Sequence, residues 1–288
     1  MPELPEVEAL ALDLRGRLKD RAIAKVHVAQ FSALKTFDPP LSAVEGTLVD
    51  DVRRHGKFLD IEASGLHLVL HLARAGWVRW RDEVPTIPPK PSPKSTLAAR
   101  IVLDDDSGLD ITEAGTKKSL ALYVVRAPLD VPGIATLGPE PMTEEFTAEV
   151  LGRILAEAGR KQLKGVLRHQ GTIAGIGNAY SDEILHAARM SPFKPADSLT
   201  PEELDTLYTA LRTTLDGAVE RSRGLAASEL KGEKKSNLAV HGKAGQKCPV
   251  CGDTVREVSF ADSSLQYCPT CQTGGKPLAD RRMSRLLK

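Results

Sequence analysis

The 288-residue sequence has no apolar run approaching the roughly 20 residues that a membrane span requires, because charged residues interrupt every stretch. Its first residues, Met1-Pro2-Glu3-Leu4-Pro5-Glu6, lack the basic and then apolar regions of a secretory signal. No internal repeat is visible, and net charge is nearly absent, with 39 Lys and Arg facing 38 Asp and Glu. These absences lead to the expectation of a soluble, cytoplasmic chain with no membrane partner. What is present supports a folded protein: 41% of residues are hydrophobic, too many for a disordered chain and enough for a buried core. The length predicts two domains with a small appendage.

The near-zero net charge hides an uneven distribution. From Arg221 to Lys288 there are 13 Lys and Arg against 6 Asp and Glu, a net +7, so the first 220 residues carry −6. A basic C-terminal module of this kind suits nucleic acid or another acidic surface, although a solvated charged tail would look the same. All four cysteines lie in that module, as Cys248, Cys251, Cys268 and Cys271 in the pattern C-x2-C-x16-C-x2-C. A chain without a secretory signal is a poor candidate for disulfides, whereas two CxxC knuckles can converge tetrahedrally on one Zn2+. Four thiolates leave no open coordination position, so the expected zinc is structural. Thr254–Phe260 and Ser264–Tyr267 read as two short strands between the knuckles.

The first half of the chain reads as mostly β. Ile23–Val28, Thr47–Val52, Lys57–Ala63, His67–Leu72, Leu97–Leu103 and Leu120–Val125 are short β-branched or alternating runs bounded by turn residues. One helix precedes them, with Val7, Leu10, Leu14 and Leu18 at helical spacing. Pro85–Pro93 is too proline-rich for either regular state and is expected as a surface insertion. After a Pro- and Gly-bearing linker the pattern turns helical. Phe146, Val150, Ile154 and Leu155 mark one helix; Leu204, Tyr208, Leu211, Leu215 and Val219 mark another, opened by the capping box Thr200-Pro201-Glu202-Glu203. The predicted class is α+β: an N-terminal β-sandwich with a flanking helix, then a helical domain and a C-terminal zinc-finger hairpin.

Between the two helices, Gly175-Ile176-Gly177-Asn178 is too short for a dinucleotide fingerprint, since Tyr180 stands where the third glycine belongs and no strand precedes it. Gly175 and Gly177 just before a helix instead let backbone N–H groups approach an anion at its N-terminus, with Asn178 able to contact a phosphate; an ordinary interhelical turn is the alternative. Together with Pro2-Glu3-Leu4-Pro5-Glu6 and the two cysteine knuckles, this segment resembles the formamidopyrimidine-DNA glycosylase/endonuclease VIII family. Further motifs follow in family order: Arg54-His55-Gly56-Lys57-Phe58-Leu59, Leu137-Gly138-Pro139-Glu140-Pro141, the helix-two-turn-helix residues Lys164, Leu167, Gln170 and 174–183, and His241-Gly242-Lys243. The resemblance spans about residues 2–272 and implies a catalytic sandwich at 1–130, a linker at 131–143, a helix-two-turn-helix DNA-binding domain at 144–235, a zinc finger at 236–275 and a basic tail at 276–288.

The resemblance implies a bifunctional DNA glycosylase and abasic-site lyase of base excision repair, acting as a monomer on double-stranded DNA with damaged bases or abasic sites. Removal of Met1 leaves Pro2 with a free secondary amine, and an α-amino pKa near 7.7–8.0 leaves an appreciable neutral fraction for attack. Glu3 is implied for proton transfer at the sugar, Glu6 for supporting it and Lys57 for holding a phosphate or the sugar. Lys164, Gly175, Gly177 and Asn178 are implied as DNA contacts, and the only cofactor is the structural zinc.

Three departures bear on lesion handling. The family's hairpin arginine is Ser263 here, and no Lys or Arg lies between Glu257 and Cys268, so Arg256 or the tail residues Arg281, Arg282, Arg285 and Lys288 are the expected substitutes. Arg74 occupies the place of a void-filling methionine, and Lys117 or Lys118 is left to supply charge where the family carries an Arg and a Phe. Gly224–Ala239 is short and lysine-rich where the purine-specific branch closes a longer loop over 8-oxoguanine. Ring-opened purines, oxidised pyrimidines or abasic sites are therefore expected ahead of 8-oxoguanine, with a lyase-only or non-catalytic DNA-binding paralogue as the rival.

Overall fold

The computed structural model describes residues 1–92, 94–260 and 263–279. Val7, Leu10, Leu14 and Leu18 all turn inward from α1 (Leu4–Leu18), each no more than 2% exposed. Pro5 fits its first turn because a proline there forfeits no intrahelical hydrogen bond. Eight strands follow: β1 (Ile23–Val28), β2 (Val49–His55), β3 (Phe58–Ala63), β4 (Leu66–His71), β5 (Gly76–Arg81), β6 (Leu97–Leu103), β7 (Gly108–Glu113) and β8 (Ala121–Val125). They form two antiparallel four-stranded sheets, ordered β1-β6-β7-β5 and β2-β3-β4-β8. One core joins the inner faces of both sheets and α1: Val26, Ile101 and Leu109 from one sheet, Val52, Ile61, Leu70 and Leu122 from the other. This is the expected sandwich with its flanking helix.

Two strands were not expected. β7 carries Asp110 in its middle, which reads as a turn residue, yet Asp110 is 3% exposed. Arg100 Nε donates to it at 2.7 Å and Arg81 Nε at 2.9 Å, so the buried carboxylate is paired from two neighbouring strands. β5 follows the turn at residues 72–75 directly, in a stretch for which no strand was named. The Pro85–Pro93 stretch lies between β5 and β6 outside any regular element, and residue 93 falls outside the described residues.

The chain returns to this first unit once. Residues 1–137 and 219–233 form one compact unit, and residues 138–218 and 234–288 form the other. The returning segment puts Ala227 and Leu230 into the sandwich core. The short, lysine-rich 224–239 stretch includes a helix, α7 (Leu230–Asn237).

The second unit contains α3 (Ala148–Ala158), α4 (Leu163–Arg168), α5 (Asn178–Ala187) and most of α6 (Pro201–Ser222), after the short α2 (Pro132–Ala135) of the first unit. The capping box at α6 forms as expected, with Thr200 N donating to Glu203 Oε2 at 3.0 Å and Glu203 N to Thr200 Oγ1 at 3.3 Å. Gly138 approaches the turn before α5 so closely that a Cβ there would meet Thr172 backbone atoms at 2.5 Å, which restricts this position to glycine. A hairpin of β9 (Arg256–Ser259) and β10 (Ser264–Tyr267) and a short α8 (Pro269–Thr273) complete the unit.

Candidate active site and nucleic-acid interface

The start of α1 concentrates buried polar groups. Pro2 is buried, and Glu3 and Glu6 are 2% and 1% exposed. Glu6 Oε2 accepts the Glu3 backbone N–H at 2.8 Å, so the second carboxylate fixes the backbone of the first. Lys57, 7% exposed, sits in the β2–β3 turn beside Gly56, whose φ of 55° suits the left-handed turn. Arg54 ties that turn to α1: its Nη1 donates to Gly56 O at 3.0 Å and its Nε to Glu8 Oε2 at 2.6 Å. Buried carboxylates and an ammonium on adjoining elements of one unit cost stability unless paired, and such groupings mark functional sites.

His71 at the end of β4 belongs to the same region and was passed over in the sequence, although it directly precedes the Leu72–Gly76 segment. Its ring lies 4.7 Å from that of Phe58, its partner across the strands. Burial, reinforced by the Lys57 charge, pushes its pKa down to about 4, so it is neutral at pH 7. A depressed histidine makes the unfolded chain bind the extra proton first, so stability is lost as pH falls from 6.5 towards 4. The loss is up to about 3 kcal/mol. Urea unfolding of the sandwich should show that loss in the native protein and not in His71→Gln; equal pH slopes would refute it.

Arg74 and Lys117 are exposed on neighbouring loops, joined where Ala114 N donates to Ala75 O at 3.1 Å. Lys118 takes a different part from the one expected. Its ammonium donates to the carbonyls of Ser95, at 3.3 Å, and Glu113, at 2.5 Å, tying the β6 approach to the end of β7.

In the second unit, Gly175 adopts φ 82° and Gly177 caps α5, which starts at Asn178. The Gln170 side chain braces the turn, donating to Ile176 O at 2.6 Å and accepting from Gly175 N at 3.0 Å. The expected DNA contact of Lys164 meets a different geometry. Lys164 is 5% exposed, and its ammonium donates to Asn178 O at 3.0 Å, Ser181 Oγ at 2.9 Å and Asp182 Oδ1 at 2.6 Å. All three N–H donors are used inside the unit, so Lys164 braces the start of α5 from within. Asn178 Nδ2 donates to Ser264 O at 2.8 Å, joining that helix start to the hairpin.

The Cys248, Cys251, Cys268 and Cys271 sulfurs all lie within 4.8 Å of one another. Tetrahedral Zn–S bonds of about 2.3 Å require S···S separations of about 3.8 Å, which fits. Burial pushes the Cys268 thiol up to about 11 and raises Cys271 as well, the crowded sulfurs adding to the effect. A dication at the centre reverses that resistance to ionisation. The module is fastened to α5 by buried side chains: Glu183 accepts the backbone N–H groups of Ala239, Val240 and His241 at 2.7, 3.0 and 2.8 Å. Asp182 Oδ2 contacts His241 Nδ1 at 2.8 Å, and His186 Nε2 lies 3.3 Å from Cys248 Sγ. Arg256 is exposed on β9, opposite Tyr267. The tail arginines and Lys288 lie outside the described residues.

Three family models match this chain: the formamidopyrimidine-DNA glycosylase N-terminal domain over residues 1–118, the formamidopyrimidine-DNA glycosylase H2TH domain over 137–229, and a zinc finger found in FPG and IleRS over 245–274. A formamidopyrimidine-DNA glycosylase of Symbiobacterium thermophilum is 36% identical over 295 residues, covering 98% of this chain and 93% of that protein. The crystal structure of the MutM (Fpg) protein from Thermus thermophilus has a TM-score of 0.79 at 34% identity, covering 96% of this chain and 100% of that one. Wild-type Lactococcus lactis Fpg (MutM), in complex with DNA containing N7-benzyl-Fapy-dG, has a TM-score of 0.82 at 25% identity, covering 94% and 100%. With the thiol cluster, the zinc-finger match assigns this chain one structural zinc. Among the described residues no helix is long and apolar enough to cross a membrane.

Proposed function

This chain belongs to the formamidopyrimidine-DNA glycosylase family of DNA-repair enzymes, and we propose that it excises damaged bases and cuts the strand through a Schiff base on Pro2. The substrate is double-stranded DNA with a damaged base or an abasic site, bound by a monomer. With Met1 removed, the Pro2 nitrogen bonds to C1′ of the damaged nucleotide as the C1′–base bond breaks, and the base leaves with that electron pair and a proton. Opening of the sugar gives an iminium, which acidifies the C2′ proton. Loss of that proton expels the 3′ phosphate, and a second elimination expels the 5′ phosphate. Glu3 transfers the proton at the ring oxygen, Glu6 holds the Glu3 backbone, and Lys57 binds a phosphate.

The observation that carries this reading is the burial of Pro2, Glu3, Glu6 and Lys57 on α1 and the turn that Arg54 fastens to it. Gly175, Gly177 and Asn178 at the start of α5 are further proposed DNA contacts, with Arg74, Lys117 and Arg256 as exposed cations for the backbone. Because the 224–239 stretch is short where the purine-specific branch carries a longer loop, ring-opened purines, oxidised pyrimidines and abasic sites are the proposed substrates ahead of 8-oxoguanine.

Borohydride reduction tests the reading. The native protein should form a covalent adduct with both lesion-bearing and abasic duplexes. Glu3→Gln should lose about a hundredfold or more in lesion trapping while keeping most abasic-site trapping, since general acid catalysis supplies about 10²–10⁴-fold and an abasic sugar has no base to expel. Adducts with abasic DNA alone would reduce the function to a lyase, and no adduct with either would remove the proposal.

A further inference from the structure

We propose that Glu113, at the end of β7, is a positioning residue for DNA: its buried carboxylate clasps the neck of the 114–119 loop and so presents Lys117 to the phosphate backbone. The inference rests on the reading of Lys117 as a backbone cation in the function proposed above. Of the loop's two lysines, Lys118 is turned inward onto carbonyls, whereas Lys117 is exposed and its ammonium has no hydrogen-bond or ion-pair partner among the described residues. A cation on a slack loop would be a weak DNA contact, because binding would have to order the chain first.

Glu113 removes that slack. It is 1% exposed, and its Oε1 accepts the backbone N–H groups of Ser119 at 2.8 Å and Leu120 at 3.1 Å, closing the loop across its neck. Leu120 is itself buried in the sandwich core, so the far end of the loop is anchored. On the near side, Glu113 N donates to Thr96 O at 2.7 Å and Ala114 N to Ala75 O at 3.1 Å. The Lys118 ammonium completes the clasp on Glu113 O. Gly115, at φ 87°, takes the left-handed step that lets so short a loop turn back. The Oε2 of Glu113 is buried with no hydrogen-bond partner among the described residues, a destabilising arrangement for a residue that served packing alone. What the carboxylate supplies is a fixed loop from which Lys117 projects.

The test uses the full-length, zinc-loaded protein and a duplex carrying a tetrahydrofuran abasic analogue, titrated by fluorescence anisotropy across a salt series. Each phosphate contact adds about 0.9 to the slope of log Kd against log salt, so Lys117→Ala should lose about that much. Its affinity should then fall about threefold less than the native protein's as salt rises from about 50 to about 200 mM. Glu113→Ala should lose the same slope. Glu113→Asp, which withdraws the carboxylate by one methylene, carries the same expectation and stands in if Glu113→Ala does not fold. Glu113→Gln keeps an acceptor oxygen for Ser119 and Leu120 and should restore the native slope. Adding Lys117→Ala to either shortened variant should cost no more slope than Lys117→Ala alone. A Glu113 that served only the fold would lower the unfolding temperature and leave the slope native. A native slope in the shortened variants, additive losses with Lys117→Ala, or an equal loss in Glu113→Gln would each overturn the inference. A native slope in Lys117→Ala would remove it together with the proposed Lys117 contact, and failure of the native protein to bind would remove it together with the proposed function. Native binding without borohydride trapping would remove only the Schiff base and leave this role standing.

Discussion

Replacing Pro2 with glycine should slow covalent trapping of abasic DNA about a hundredfold, a barrier increase of about 2.7 kcal/mol, while affinity for an unreactive abasic analogue stays within about threefold. Proline contributes two things that glycine lacks. Its ring restricts rotation about the attacking nitrogen and orients the lone pair from a buried position at the head of α1. Its secondary amine also gives an iminium with no N–H to lose, so the electron sink stays charged until elimination is complete. Glycine still has an N-terminal amine, so the reaction is slowed rather than abolished. Single-turnover borohydride trapping, measured beside anisotropy with the analogue, separates chemistry from binding. Unchanged trapping would move the nucleophile to a lysine, with the buried Lys57 the first to test.

Stripping the zinc should have an effect of comparable size by another route. Structural zinc provides about 10–16 kcal/mol of apparent folding free energy in isolated fingers, far more than two four-residue strands supply alone. Losing it releases Cys248 from His186, frees residues 239–241 from Glu183 and breaks the Asn178–Ser264 tie. Affinity for abasic-analogue DNA should fall about a hundredfold or more, a change of at least about 2.7 kcal/mol. Amide protection should vanish across 239–267 and persist in the sandwich, whose core has no share in the cysteine cluster. Cys268→Ser should reproduce both effects. Native affinity in protein shown by elemental analysis to be zinc-free would contradict the account.

Much of this was legible because periodicity and spacing report local geometry. The α1 stripe, the capping box at Thr200 and the cysteine knuckles each specify a structure within about 25 residues. What escaped depends on partners remote in sequence. Asp110 reads as a breaker until Arg100 and Arg81 are seen beside it on neighbouring strands. Lys164 reads as a surface cation because its acceptors, Ser181 and Asp182, lie 17 and 18 residues ahead across two turns. Lys118 likewise spends its charge on backbone carbonyls that composition cannot reveal. The lysine-rich 224–239 stretch gave no sign in the sequence that Leu230 is part of the sandwich core, about 100 residues after the last strand of the sandwich. The pattern at the N-terminus was visible, although burial alone distinguishes Glu3 and Glu6 from ordinary first-turn acids favoured by the helix dipole.

Peptide mapping of the borohydride-reduced complex tests the central claim most directly. The purified chain should begin at Pro2, and digestion of the adduct should place the nucleotide remnant on the Pro2 nitrogen of the N-terminal peptide. An active preparation that retains Met1, or a remnant mapped to a lysine side chain, would contradict it.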